Sequence, residues 1–250
     1  MAAEDAELEA MWDDFAADYD AIQSESRVGI VADVTAYLAE QHLLQNQVVL
    51  DVAGGTGRYA IPFAQVAKQV ILSDISAAML KLAAQHGRAL TNITYVHQPW
   101  SALQQRTAPQ ADLVFAAMFP ALQPTELAAL TRLSRHAVVI VRAVAHTDTV
   151  MDSLVKTLDV PQNYDPSADQ TLMDQYRAEL TRLGQPFTTK QFQYTLHEQV
   201  TRTEIRAEVL PDLSFQRQEQ LPAVLDTLFG GQTERDDEQT YTYELLKWLV

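Results

Sequence analysis

The chain has no cysteine among its 250 residues, only eight glycines, and 18 lysines and arginines against 33 aspartates and glutamates. Without cysteine there is no disulfide framework, no thiolate metal centre and no cysteine nucleophile, and a reducing cytoplasmic setting is expected. A formal charge of −15 opposes a polyanionic partner, because the summed field repels phosphates. Nucleic acid is therefore not expected as a substrate, and Arg58, Arg88, Arg106, Arg132, Arg135 and Arg142 are scattered along the chain rather than gathered. No apolar run approaches the roughly 20 residues of a membrane span. Met1-Ala2-Ala3-Glu4-Asp5 is acidic where a secretory leader would be basic. No membrane partner and no metal are expected, and composition does not fix the oligomeric state. What is present, 47% hydrophobic residues over 250 positions, suits one large α/β domain, 1–250, or such a domain with a modest appendage.

The stretch Val48 to Asp74 organises the rest. Val48-Val49-Leu50 reads as a short buried strand closed by Asp51, and Ala53-Gly54-Gly55-Thr56-Gly57 can turn sharply because glycine tolerates positive φ. Arg58 to Lys68 then places Tyr59, Ile61, Phe63, Ala64, Val66 and Ala67 at mostly helical spacing, with Pro62 acceptable only in the first turn or so. Val70-Ile71-Leu72 is a second buried-type strand. Asp74 stands just past it, where a carboxylate can accept two hydrogen bonds from a ribose diol.

Two nucleotide-binding readings compete for this unit. Gly55-Thr56-Gly57-Arg58-Tyr59-Ala60 fits the G-x-G-x-x-A variant of the dinucleotide fingerprint, which would make the chain an NAD(P)-dependent oxidoreductase. Asp51 weighs the other way, because an acid immediately before the loop repels a pyrophosphate and attracts a cation. S-adenosyl-L-methionine carries a sulfonium, an ammonium and a ribose, and acids on both sides of one loop answer all three.

The wording DVAGGTG resembles the first motif of the class I S-adenosylmethionine-dependent methyltransferases, in the variant of the quinone-biosynthesis enzymes and their type-11 relatives. Ala53 replaces the family's first glycine, a mild departure since alanine is nearly as small. The resemblance spans roughly Trp12 to Val144. It implies a Rossmann-like, doubly wound, seven-stranded and mostly parallel sheet with a C-terminal antiparallel hairpin.

Elsewhere the reading is coarser. Glu4 to Asp20 interleaves acids with Leu8, Met11, Trp12, Phe15, Ala16 and Tyr19, an amphipathic helix. Arg27 to Leu44 gives another, and 1–45 together read as an N-terminal helical cap. In the family such a leader folds over the cofactor, and Tyr19 becomes the candidate contact to its methionine end or to substrate. Ser76 caps a helix carrying Met79 and Leu80; Ile75 and Met79 are placed to flank an adenine, or Met79 is simply core. After the strand Ile93 to Val96, Gln98, Pro99 and Trp100 occupy the adenine-holding positions of the family, with an amide where it commonly has an acid.

Ala111 to Ala117 is the fourth strand, and Ala116 to Phe119 should border the reacting centre, since open parallel sheets bind ligands at their carboxyl ends. Amine-methylating relatives often carry Asn or Asp and Pro-Pro here; Ala116-Ala117-Met118-Phe119-Pro120 does not, so an oxygen or carbon acceptor on a small molecule is favoured. Ala137 to Val141 is the fifth strand, and His146 beyond it is the best histidine for a base. Residues 146–170 break the alternation and are a candidate substrate-recognition insertion. Phe192 to Leu196 and Tyr241 to Leu245 alternate as the closing strands.

The resemblance assigns Tyr19, Asp51, Ala53, Gly54, Gly55, Gly57, Asp74, Ile75, Met79, Gln98, Pro99, Trp100 and Ala116 to S-adenosyl-L-methionine, and Phe119 and His146 to the acceptor. No catalytic residue is identified beyond the candidates His146 and Tyr19, because an already activated methyl group needs alignment more than it needs a base. A non-catalytic cofactor-binding regulator or partner subunit would use the same loop.

Overall fold

The structure is a computed structural model, and it describes residues 3–158 and 168–250. In chain order the elements are α1 (Ala3–Glu25), α2 (Ile30–Glu40), β1 (Val48–Val52), α3 (Ala60–Ala64), β2 (Gln69–Asp74), α4 (Ala77–His86), β3 (Ile93–His97), α5 (Trp100–Leu103), β4 (Ala111–Ala117) and α6 (Leu127–Leu133). They continue as β5 (Ser134–Asp148), α7 (Thr149–Leu158), α8 (Gln170–Arg182), β6 (Phe187–Thr201), α9 (Arg202–Val209), α10 (Phe215–Phe229) and β7 (Glu234–Leu249). The seven strands lie in the order β3-β2-β1-β4-β5-β7-β6. The sheet is mostly parallel and closes with the antiparallel hairpin β5-β7-β6, the Rossmann-like methyltransferase arrangement.

The central strands form where β-branched and aliphatic residues run without interruption, because both faces are covered. Leu50 pairs with Ile71 of β2 and Val114 of β4, and Val114 pairs with Val138 of β5. Val49, Leu50, Val70, Leu72, Val114, Phe115, Val138 and Val139 are all buried. The outer strands are longer than the apolar runs that announce them. β5 extends to 15 residues, and β6 and β7 to 15 and 16. Their added lengths are largely exposed or part-buried, and strand positions that face water leave no continuous apolar signature.

Helix α3 is much shorter than the expected Arg58 to Lys68. It ends at Ala64, and Ala67 turns into a bridge with Gln45. Pro62 sits within its first turn, as expected. Pro222 is the eighth residue of α10, and the Arg202 guanidinium donates to its carbonyl at 3.1 Å.

The chain divides into two compact units, where a single domain with a short insertion at 146–170 was expected. The first comprises 1–142, 170–191 and 244–250; the second comprises 143–169 and 192–243. The second unit begins close to the expected insertion and takes in far more chain. Its own core is Val150, Leu154 and Leu158 of α7, Ile205 and Val209 of α9, and Leu221, Leu225 and Phe229 of α10. The turn-rich part of the expected insertion, 159–167, lies outside the described residues. Among the described residues no helix is long and apolar enough to cross a membrane.

Candidate active site at the glycine loop

Strand β1 delivers Asp51 to the carboxyl edge of the sheet, and the loop Ala53 to Gly57 reverses the chain into α3. Ala53, Gly55 and Gly57 all take left-handed φ angles, of 54°, 55° and 83°. That conformation is free for glycine but strained for alanine by roughly 1 kcal/mol, so Ala53 is a less mild departure than its size suggests. Met118, at the exit of β4, is a second strained residue with φ of 50°. Gly54 is needed for a different reason: a Cβ there would stand 2.8 Å from Asp51 Oδ2 and 3.0 Å from Leu72.

The two acids share this edge. Asp74, the last residue of β2, accepts hydrogen bonds from the Gly55 and Ser76 N–H groups, both at 2.8 Å, and so ties the loop to the neighbouring strand. The carboxylate still has capacity to accept from another donor. Asp51 is 2% exposed, and its Oδ2 has no hydrogen-bond partner. Burial, and then the charge of Asp74, push the Asp51 carboxyl up to about 8 despite a backbone hydrogen bond from Ala60. Asp74 is also raised, by burial, against the N–H groups of Ser76, Gly55 and Ile75. An unpartnered buried carboxyl beside a second acid is a poor place for an anion and a good one for a cation.

A small cavity of about 20 Å³ remains between Asp51, Gly54, Arg58, Tyr59, Met118 and Tyr19. Tyr19 comes from α1, which reaches across the loop; its ring lies 3.8 Å from where a Gly55 Cβ would be. Burial raises the Tyr19 phenol, Arg58 lowers it, and the two acids add to the rise.

Helix α1 is fastened by side-chain carboxylates more than by apolar burial. Ala16 is its one buried residue among those described, and Met11, Phe15 and Ile22 are exposed. Asp13 accepts from Ser76 Oγ at 2.5 Å and from Ala78 N–H at 3.0 Å, capping α4 from outside. Burial works against ionisation of Asp13, but these hydrogen bonds and His97 outweigh it and hold its carboxyl below the usual range. Asp5 accepts from Ser101 Oγ at 2.8 Å, Glu9 meets His97 at 2.8 Å and Asp20 meets His86 at 2.9 Å. The first three acids recur every fourth residue, so one helix face carries them in a row. Trp12, Phe15 and Tyr19 meet one another along the same helix, tilted or edge-on, with ring centroids 6.1 to 6.3 Å apart.

The β4 exit is held from β5. Met118 N–H donates to the Val141 carbonyl at 2.9 Å, and the buried Arg142 guanidinium donates to the Phe119 carbonyl at 2.9 Å. Phe119 meets Trp100 edge-on, centroids 6.0 Å apart.

Of the residues expected to hold a cofactor, Tyr19, Asp51, Ala53 and Gly54 line the cavity, while Gly55, Gly57, Asp74 and Ile75 frame the loop and its neighbouring strand end. Others are placed differently. Met79 and Ala116 are 2% and 1% exposed and belong to the core. Both ends of the Gln98 amide are used away from the loop, donating to Ser73 Oγ at 3.2 Å and accepting from Arg106 at 3.1 Å, so it is not presented to an adenine. Pro99 caps α5, with Trp100 half-buried behind it. His146 belongs to the second unit, where it stacks on Tyr241 at 4.3 Å.

Arg58 and Tyr59 as lining residues, and Asp5, Glu9, Asp13 and Asp20 as fasteners, were not read from the sequence, whereas Met118 lies within the expected border Ala116 to Phe119. The every-fourth spacing of Asp5, Glu9 and Asp13 was the available signal for those three, and Asp20 falls outside it. Among the described residues no group of His, Asp or Glu could hold a metal ion.

Known proteins are similar to the chain in the central part of its sequence and in fold. Residues 49–138 match the model of a methyltransferase domain family. The fold is similar to that of magnesium protoporphyrin IX methyltransferase from Synechocystis PCC 6803 solved with bound SAH, with a TM-score of 0.57 and 17% identity over 98% of each chain. It is similar also to a putative methyltransferase from Bacillus halodurans C-125, with a TM-score of 0.52 and 18% identity over 86% of this chain and 97% of that one. A putative type II methyltransferase from Anaeromyxobacter dehalogenans gives 0.53 and 17% over 86% and 94%. No curated protein matches the sequence.

Proposed function

We propose that the chain is a class I S-adenosylmethionine-dependent methyltransferase, a reading supported by the match of residues 49–138 to a methyltransferase domain family, and that it methylates an oxygen or carbon nucleophile of a small molecule. The observation that carries the cofactor reading is Asp51: a buried carboxyl oxygen without a donor, beside a loop whose glycine leaves the approach open. Its chemistry suits an ammonium or sulfonium and repels a pyrophosphate. Asp74 keeps acceptor capacity for a ribose hydroxyl beside its backbone donors. The bound cofactor supplies a methyl group already activated by its sulfonium.

The chain's own work is then binding, alignment and exclusion of water. Tyr19 fills the space above the loop, so it and α1 yield when a ligand enters and cover it afterwards; the polar fastening of α1 makes that movement cheap. Arg142 fixes the β4 exit, where the strained Met118 faces the cavity. The run Ala116 to Pro120 offers no side-chain acceptor for an amine hydrogen, which supports oxygen or carbon over nitrogen. Phe119 is assigned to the acceptor side, and His146 is not used in this reading.

The test has two stages. A thermal-shift comparison should show stabilisation by S-adenosylhomocysteine and none by NAD; the reverse result points to an oxidoreductase. Labelled methyl transfer to panels of phenols, carboxylates, activated carbons and amines should then label the first three classes only. Binding without turnover on any class would make the chain a cofactor-binding regulator.

A further inference from the structure

A second pocket, of about 180 Å³, opens on the sheet face turned away from Asp51. Its floor is one lateral row of three paired residues, Leu50, Ile71 and Thr94, from β1, β2 and β3. Paired residues of parallel strands point to the same face, and Leu50 points opposite to its neighbour Asp51, so this pocket is separate from the glycine loop. The face is open because the connection from β3 to β4 carries only the four-residue α5 and then an irregular segment.

The rim is built around Arg106. Its guanidinium donates to Gln110 Oε1 at 3.0 Å and to Gln98 Oε1 at 3.1 Å, and it makes no ion pair among the described residues. In a chain with 33 acids against 18 basic residues, an arginine held only by neutral amide oxygens is available to an anion. With two N–H groups held by the amides, three of the five remain to form a fork on a carboxylate, and the aliphatic floor matches a short hydrocarbon body. The volume is below the roughly 300 Å³ at which drug-sized sites begin, which limits the occupant to a small acid. We propose that this pocket binds a small apolar monocarboxylate, with Arg106 holding its carboxylate over Leu50, Ile71 and Thr94.

The test uses the full chain and pentanoate as the probe, with pentanamide as its uncharged match, followed by ligand-observed NMR titration. Pentanoate should bind about tenfold more tightly than pentanamide, and added salt should weaken it. Arg106→Gln should remove that preference, and Thr94→Tyr, which fills the pocket from the exposed end of its floor, should abolish binding of both probes. Circular dichroism and melting temperature should be unchanged in both variants. Equal binding of acid and amide, or undiminished pentanoate binding by Arg106→Gln, would overturn the proposal, as would no pentanoate binding at millimolar concentration. Should Thr94→Tyr fail to fold, the acid and amide comparison and Arg106→Gln still decide.

Discussion

The glycine loop and helix α1 are both acidic, and burial gives their carboxylates opposite work. Asp51 and Asp74 are 2% and 7% exposed, and both are driven toward protonation. Glu9 and Asp20 keep 18% and 25% of their side chains exposed and meet histidines at the surface. A buried acid without a full set of partners is costly to the free protein and gains when a cation arrives. A half-exposed acid on a surface partner contributes little either way, so it can open and close without consequence for the fold. Under the proposed function, one region selects a ligand and the other lets it pass.

Substitutions at the loop should break this contrast most visibly. Asp51→Asn should lower affinity for S-adenosylmethionine by about 10- to 100-fold, the worth of a charge-assisted hydrogen bond, while raising the melting temperature of the free protein. Asp74→Asn should cost a similar amount in affinity. Asp74→Ala should in addition destabilise the fold by roughly 1 to 3 kcal/mol, because the Gly55 and Ser76 N–H groups lose their acceptor. Calorimetric titration and thermal melts of the three variants read both quantities. If Asp51→Asn lowers stability and affinity together, the acid is structural and the contrast fails.

Smaller effects are expected at α1. The combined change Glu9→Gln, Asp13→Asn and Asp20→Asn should speed cofactor dissociation severalfold in stopped-flow measurements while changing stability by about 1 kcal/mol or less. A loss of several kcal/mol would mean that the helix is part of the core and not a cover. Smallest of all is Ala53→Gly, which should relieve the left-handed strain and raise stability by about 1 kcal/mol or less, read from urea midpoints. Lowered stability would show that the strain is not there.

Much of the first unit was legible because its strands are buried on both sides. Continuous runs such as Val48 to Leu50 and Ala111 to Ala117 have few other readings, and a glycine cluster between strand and helix has a local physical meaning. Ser76 as a cap was equally readable, since its side chain accepts from Met79 N–H at 3.0 Å as its position suggests. What was not legible depends on three-dimensional partners. Gln98 could have turned its amide to either side of the sheet, and Ser73 and Arg106, 25 and 8 residues away, decided it. The left-handed φ of Ala53 is invisible in a side chain almost as small as glycine. The second unit was hidden because β6 and β7 each keep one polar face, so their length exceeds their apolar signal.

The account stands on Asp51 being a carboxyl that a cationic ligand ionises. In the free protein its pKa is pushed up to about 8, above the ordinary carboxylate value of 3.8. Between those two values the folded chain holds a proton that the unfolded chain has released, so stability of the free protein should fall as pH rises through that window and level off above it. Binding runs in the opposite direction, since the ionised form is the one that receives the cation. Calorimetric titration with S-adenosylmethionine at pH 6, 7 and 8, in buffers of different ionisation enthalpy, measures this directly. The account predicts affinity rising by up to about tenfold per pH unit with release of close to one proton at pH 6, and no such dependence in Asp51→Asn. Binding by the wild type that is independent of pH and releases no proton would contradict it.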